Sequence, residues 1–106
     1  MDYETYNATV RQLLHEINDS KGLDLELVPG WSHPVMDQVK SISYGYKIHC
    51  KTGKTKTMSL NIHAQSFVQS RDGSTTLRST TTSKIIAELT DFWSDGNSER
   101  HRVVDV

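Results

Sequence analysis

Residues 41–64 read SISYGYKIHCKTGKTKTMSLNIHA, and the parity of this stretch decides the fold. Ile42, Tyr44, Tyr46, Ile48 and Cys50 share one parity, while Ser41, Ser43, Gly45, Lys47 and His49 share the other. Met58, Leu60, Ile62 and Ala64 repeat the alternation against Thr57, Ser59, Asn61 and His63. Alternation with period two is the mark of a strand with one buried and one wet face. Pairing two such strands with apolar facing apolar requires even residues opposite even residues, and therefore a loop of odd length. A three-residue loop Lys51-Thr52-Gly53, with glycine in the left-handed third position, meets the requirement and pairs Cys50 with Lys54. Tyr46 then faces Met58, Tyr44 faces Leu60 and Ile42 faces Ile62.

The same stretch contains Gly53-Lys54-Thr55, the closing triplet of a phosphate-binding loop. That motif also needs a glycine five positions before Gly53 and a helix beginning at the lysine, so that backbone N–H groups converge on the phosphate. Ile48 stands at the glycine position, and strand alternation follows Lys54. The hairpin reading prevails over the nucleotide reading.

Outward from the hairpin, Tyr3, Tyr6, Val10, Leu13, Leu14 and Ile17 follow helical spacing, which predicts an amphipathic helix over 3–19 closed by Gly22. Leu23, Leu25 and Leu27 alternate with Asp24 and Glu26 as a short strand ended by Pro29-Gly30. The segment PGWSHPVMDQ, 29–38, holds both prolines and reads as a loop, with Trp31 either a lid on the core edge or an anchor for a partner, and His33 a loop residue. Past Ala64 the inward parity switches to Phe67 and Leu77. This predicts a bend near Gln65-Ser66 and a second hairpin closed by Arg71-Asp72-Gly73. The Ser/Thr-rich run 74–83 suits an exposed edge strand, an ordered loop or a mobile segment. Ile85, Ile86, Leu89, Phe92 and Trp93 give a second helix over about 83–94, capped by Thr82 or Ser83 and stopped by Asp95-Gly96-Asn97. Residues 1–96 thus form a single domain, and 97–106 a polar tail whose Val103-Val104-Asp105-Val106 end either adds an edge strand or stays mobile.

The expected fold class is α+β: an N-terminal helix, an antiparallel sheet of about four or five strands built from hairpins, and a C-terminal helix, in a two-layer sandwich. The wet sheet face is where a partner is expected. At 106 residues the chain suffices for one modest core, with hydrophobic residues at 35% and charged ones at 24%. No apolar run is long enough for a membrane span, and the N-terminus lacks the basic and apolar regions of a signal peptide, so the expected location is cytoplasmic. Cys50 is the single cysteine, which excludes an intramolecular disulfide and a cysteine-based zinc cluster.

Net charge is -1, unevenly spread. Residues 1–39 carry seven acids against Arg11 and Lys21; residues 40–87 carry Lys40, Lys47, Lys51, Lys54, Lys56, Arg71, Arg78 and Lys84 against Asp72 alone; residues 88–106 carry five acids against Arg100 and Arg102. A basic middle flanked by acidic ends either offsets itself across the packed surface or presents a basic face to an anionic partner.

The expected register separates His49 from His63 by most of the hairpin, too far for one metal ion, and Cys50 points to the opposite face from His49. No catalytic set, metal set or cofactor motif emerges, so the chain reads as a non-enzyme, with His63 and His33 the nearest to candidates for catalysis. The expected function is protein binding by an inhibitor, immunity or adaptor-type domain, a class that includes small phage and bacterial accessory proteins. It would touch a protein partner, such as one with an acidic surface, through Lys47, His49, Lys51, Lys54, Lys56 and His63, with Trp31 and His33 nearby. Homo-oligomerisation through a sheet edge belongs to the same class. The alternative is nucleic-acid binding through the basic hairpin Lys47, Lys51, Lys54 and Lys56. The helix, sheet, helix order resembles that of double-stranded-RNA-binding domains in topology, but the basic run those domains carry at the start of the second helix is absent, since Ser83-Lys84-Ile85-Ile86 offers one lysine.

Overall fold

In a computed structural model of the protein, the described residues are 3–23, 25–27, 33–34, 41–94 and 99–106. The element order is α1 (Tyr3–Lys21), β1 (Leu25–Leu27), β2 (His33–Pro34), β3 (Ser41–His49), β4 (Thr55–His63), a 3-10 turn (Ala64–Ser66), β5 (Phe67–Gln69), β6 (Thr75–Leu77), α2 (Ser79–Ser94) and β7 (His101–Asp105). The fold is α+β.

The β3–β4 hairpin has the register that parity requires, with Ile42 opposite Ile62, Tyr44 opposite Leu60 and Tyr46 opposite Met58. Its loop closes through Cys50 N–H to the Lys54 carbonyl (2.8 Å) and Gly53 N–H to the Cys50 carbonyl (2.9 Å). Gly53 sits at φ +88°, a conformation that costs a residue with a Cβ. The second hairpin, β5–β6, pairs Phe67 with Leu77 and forms a separate two-stranded sheet. Its turn is tied by Asp72, whose carboxylate accepts from the Ser74 N–H (2.9 Å) and hydroxyl (2.7 Å). Those bonds, the hydroxyl's first, hold the Asp72 pKa below the ordinary carboxylate range.

The main sheet runs β1-β3-β4-β7, with β2 also paired to β3. Three expectations change here. The sheet is mixed rather than antiparallel, because β7 lies parallel to β4, with Leu60 opposite Val104. A parallel return needs a crossover, and α2 supplies it. Within the expected loop 29–38, His33 and Pro34 pair with Ser43 and Ile42. Helix α2 begins at Ser79, four residues before the expected start, and Thr81 is buried in phase with Ile85, Leu89 and Phe92. Of the two alternatives for the C-terminal segment, the edge strand is the one the structure contains. The Pro29-Gly30 terminator, the Asp95-Gly96-Asn97 stop and Trp31 lie outside the described residues.

One core collects the even face of the sheet and the stripes of both helices: Tyr6, Val10, Leu14 and Ile17 from α1, and Ile85, Leu89 and Phe92 from α2. Tyr6 stacks on Phe67 (4.2 Å between centroids), and the buried Tyr44 hydroxyl donates to Asn7 Oδ1 (2.6 Å), fixing α1 against β3. Burial, with Tyr44 beside it, pushes the Tyr46 phenol well above the ordinary tyrosine range. Gly22, at φ +63°, closes α1 through a bond to the Asn18 carbonyl (2.9 Å). The far end of α2 is closed by the hairpin: the Lys51 N–H donates to the Trp93 carbonyl (3.1 Å) and the Cys50 thiol to the Phe92 carbonyl (3.6 Å). These bonds satisfy acceptors that a helix terminus leaves open. Among the described residues no helix is long and apolar enough to cross a membrane.

Candidate binding face

The odd residues of β3 and β4 remain on the side of the sheet away from the core. Lys47, Thr55 and His63 are exposed, and Ser41, Ser43, His49, Thr57, Ser59 and Asn61 are half-buried. Gly45 is buried between its neighbours. β7 widens this face by a third strand, adding His101, Val103 and Asp105, all exposed. The alternation at residues 103–106 allowed an edge strand, but nothing local tied it to β4, because a parallel partner some forty residues downstream leaves no mark on β4 itself.

Hydrogen bonds run across the strands of this face. The Ser43 hydroxyl donates to Asn61 Oδ1 (2.7 Å), and Asn61 Nδ2 donates to Asp105 Oδ1 (3.0 Å), which links β3, β4 and β7. His101 sits between two hydroxyls, with Nδ1 2.7 Å from Thr57 Oγ1 and Nε2 3.3 Å from Ser59 Oγ. At the hairpin end His49 Nε2 lies 3.4 Å from Glu26 Oε2 on β1, and its Nδ1 lies 3.5 Å from Thr55 Oγ1. Cross-strand pairs of this kind hold side chains in place before any partner arrives. The result is a flat polar surface whose rotamers are already restricted.

The basic residues do not gather as their sequence density implies. Lys47, Lys51 and Lys54 are exposed, but Lys56 is 2% accessible. Its even parity places it opposite Ile48, and its ammonium lies 4.6 Å from the Phe92 ring centroid. Lys56 therefore belongs to the core, and its expected place in an exposed contact surface is withdrawn. Arg78 donates through Nε to the Gln65 carbonyl (2.8 Å), and Lys84 through Nζ to the Asp105 carbonyl (3.2 Å). Exposed Arg100 joins Lys54, Thr55, Lys56 and Glu99 around a cavity of about 240 Å³, which adds a cation beside the hairpin tip.

Arg102 works on the other side of β7. It bonds Glu88 (3.1 Å) and Asp91 (2.9 Å) of α2 and Glu99 (2.9 Å), while its guanidinium carbon lies 4.7 Å from the Phe92 centroid. The bonds to Glu99, then Asp91, raise its pKa further above an already high value. This cluster fastens β7 to α2, and with it the outer third of the open face.

His63 stands opposite Ser41 and His33 opposite Ser43, so their backbones flank β3 on either side, about two strand spacings or ~10 Å apart. His49 stands opposite Thr55, at the far end of β3–β4 from His63. Among the described residues no three His, Cys, Asp or Glu groups come together as a metal site. Comparison with protein-family models, with curated proteins and with solved structures returned no match, so the functional reading rests on this geometry.

Proposed function

We propose that this is a non-enzymatic cytoplasmic domain that occupies the surface of a protein partner with its open sheet face, as inhibitors, immunity proteins and adaptors do. The observation that carries the reading is the face itself. Three strands present Ser, Thr, Asn and His side chains already ordered by cross-strand hydrogen bonds, which lowers the entropy cost of docking. Lys47, Lys51 and Lys54 border it at the hairpin end and favour a partner with an acidic rim, where charge speeds encounter more than it adds affinity. His49 and His63 lie on this face, with His33 opposite Ser43 at its margin.

Among the described residues the hydroxyl–imidazole contacts of this face that come nearest to a catalytic pair are those of His101 with Thr57 (2.7 Å) and Ser59 (3.3 Å). Both ring nitrogens meet hydroxyls, so the ring is held without the carboxylate partner that a triad uses to stabilise the imidazolium. The Cys50 thiol donates to main-chain carbonyls of Ile48 and Phe92 within the core.

Nucleic-acid binding is the second reading, favoured by Lys54 and Arg100 lining one cavity. Against it stands the burial of Lys56, which takes one cation out of the hairpin stripe, while exposed Arg78 and Lys84 keep their charge but are tethered to main-chain carbonyls. Affinity capture from a lysate with and without nuclease separates the two. The expected result is a defined protein retained after nuclease treatment; loss of all bound material with the nucleic acid would refute the proposal.

A further inference from the structure

β7 ends the main sheet, and its outer edge is unpaired by any strand among the described residues. The Val106 N–H donates to the Asn61 carbonyl (2.9 Å), the His63 N–H to the Val106 carbonyl (2.7 Å), and the Thr57 N–H to the Arg100 carbonyl (3.0 Å). In a parallel ladder this turns the even residues of β7 toward β4 and leaves the N–H and C=O groups of His101, Val103 and Asp105 pointing off the edge. Among the described residues the Lys84 ammonium reaches that row, donating to the Asp105 carbonyl (3.2 Å), which keeps a second lone pair. Val103, in the middle of the row, is 58% accessible, the one exposed large hydrophobic among the described residues.

We propose that this edge pairs antiparallel with the same edge of a second copy of the chain, Val103 against Val103 on a two-fold axis. The strand is self-complementary in that register. Each His101 imidazole faces an Asp105 carboxylate of the other copy, the two valines cover one another, and no like charges stand opposite on the open face. A register shifted to bring Asp105 against Asp105 would place two carboxylates together, which disfavours it. The product is one continuous sheet with the two open polar faces side by side, so the partner-binding surface doubles without any change in the protomer fold. This pairing stands independently of what the open face binds.

A five-residue edge buries much less than the roughly 1,600 Å² of a stable complex, so the association is expected to be weak and reversible. Lys84 opposes it, as edge lysines commonly do, by holding a charge over the last carbonyl of the row. Sedimentation velocity on the full chain up to roughly 1 mM tests the pairing. Wild type is expected to shift reversibly from one chain's mass to two. Val103→Lys, which sets like charges on the two-fold axis and touches no core residue, is expected to weaken association at least about tenfold, and Lys84→Met to strengthen it. Hydrogen exchange at high concentration is expected to slow at the His101, Val103 and Asp105 amides, a readout that does not depend on any variant. A single-chain mass throughout the range, or association unchanged in Val103→Lys, would overturn the inference.

Discussion

Lys56 shows how a residue's chemistry and its position can disagree. It stands in β4 with the parity of Met58, Leu60 and Ile62, and the core takes its aliphatic stem while the ammonium meets the Phe92 ring. A desolvated contact of that kind is worth about 2 kcal/mol. Lys56→Met keeps the stem and is expected to cost about 1–2 kcal/mol. Lys56→Glu puts a carboxylate where a cation sat and is expected to cost roughly 3 kcal/mol or more. Denaturant midpoints measure both; equal, small losses would place the side chain in water. Charge reversals that probe contacts at the hairpin tip therefore belong at Lys47, Lys51 and Lys54. The parity of Lys56 was legible in the sequence, but its charge pointed outward and the aromatic partner that lets it sit inside comes from α2.

At the scale of elements, local signals served well wherever the deciding contacts are close in sequence. Both hairpins follow from an odd loop and a glycine in its third position, and Gly53 and Gly73 have φ of +88° and +86°. An added Cβ meets nothing within 4 Å at either site, so the cost of a side chain is that of the backbone alone. Gly53→Ala is expected to destabilise by about 1 kcal/mol and Gly53→Asn by less, since Asn tolerates the left-handed region. Equilibrium unfolding of the two variants checks this, and a neutral Gly53→Ala would argue against the bulged loop. The misreadings have a different origin. The start of α2 hid in a threonine run of low helix propensity, where the buried Thr81 in phase with Ile85 is the decisive contact. β7 was legible as one of two alternatives for residues 103–106, but its parallel pairing to β4 was not, because that partner is distant in sequence and because Arg102, which looks like a tail charge, is tied to Glu88, Asp91 and Glu99.

Over the whole molecule, the alternation in residues 41–64 assigns one face of the sheet to the core and leaves the other open. Folding redistributes the basic middle of the chain, sending Lys56 inward, so the open face is polar with exposed Lys47, Lys51 and Lys54 at its hairpin end instead of broadly basic. The central claim is that this face carries the interaction. It is tested by capture from nuclease-treated lysate with two sets of exposed substitutions, each first shown to melt as wild type does. Lys47→Glu with Thr55→Arg and His63→Arg alters the open face; Arg11→Glu with Glu16→Lys alters the outward side of α1. The account predicts that the open-face set reduces retention of the partner by about tenfold or more while the helix set leaves it unchanged. Retention lost in the helix set and preserved in the open-face set would contradict it.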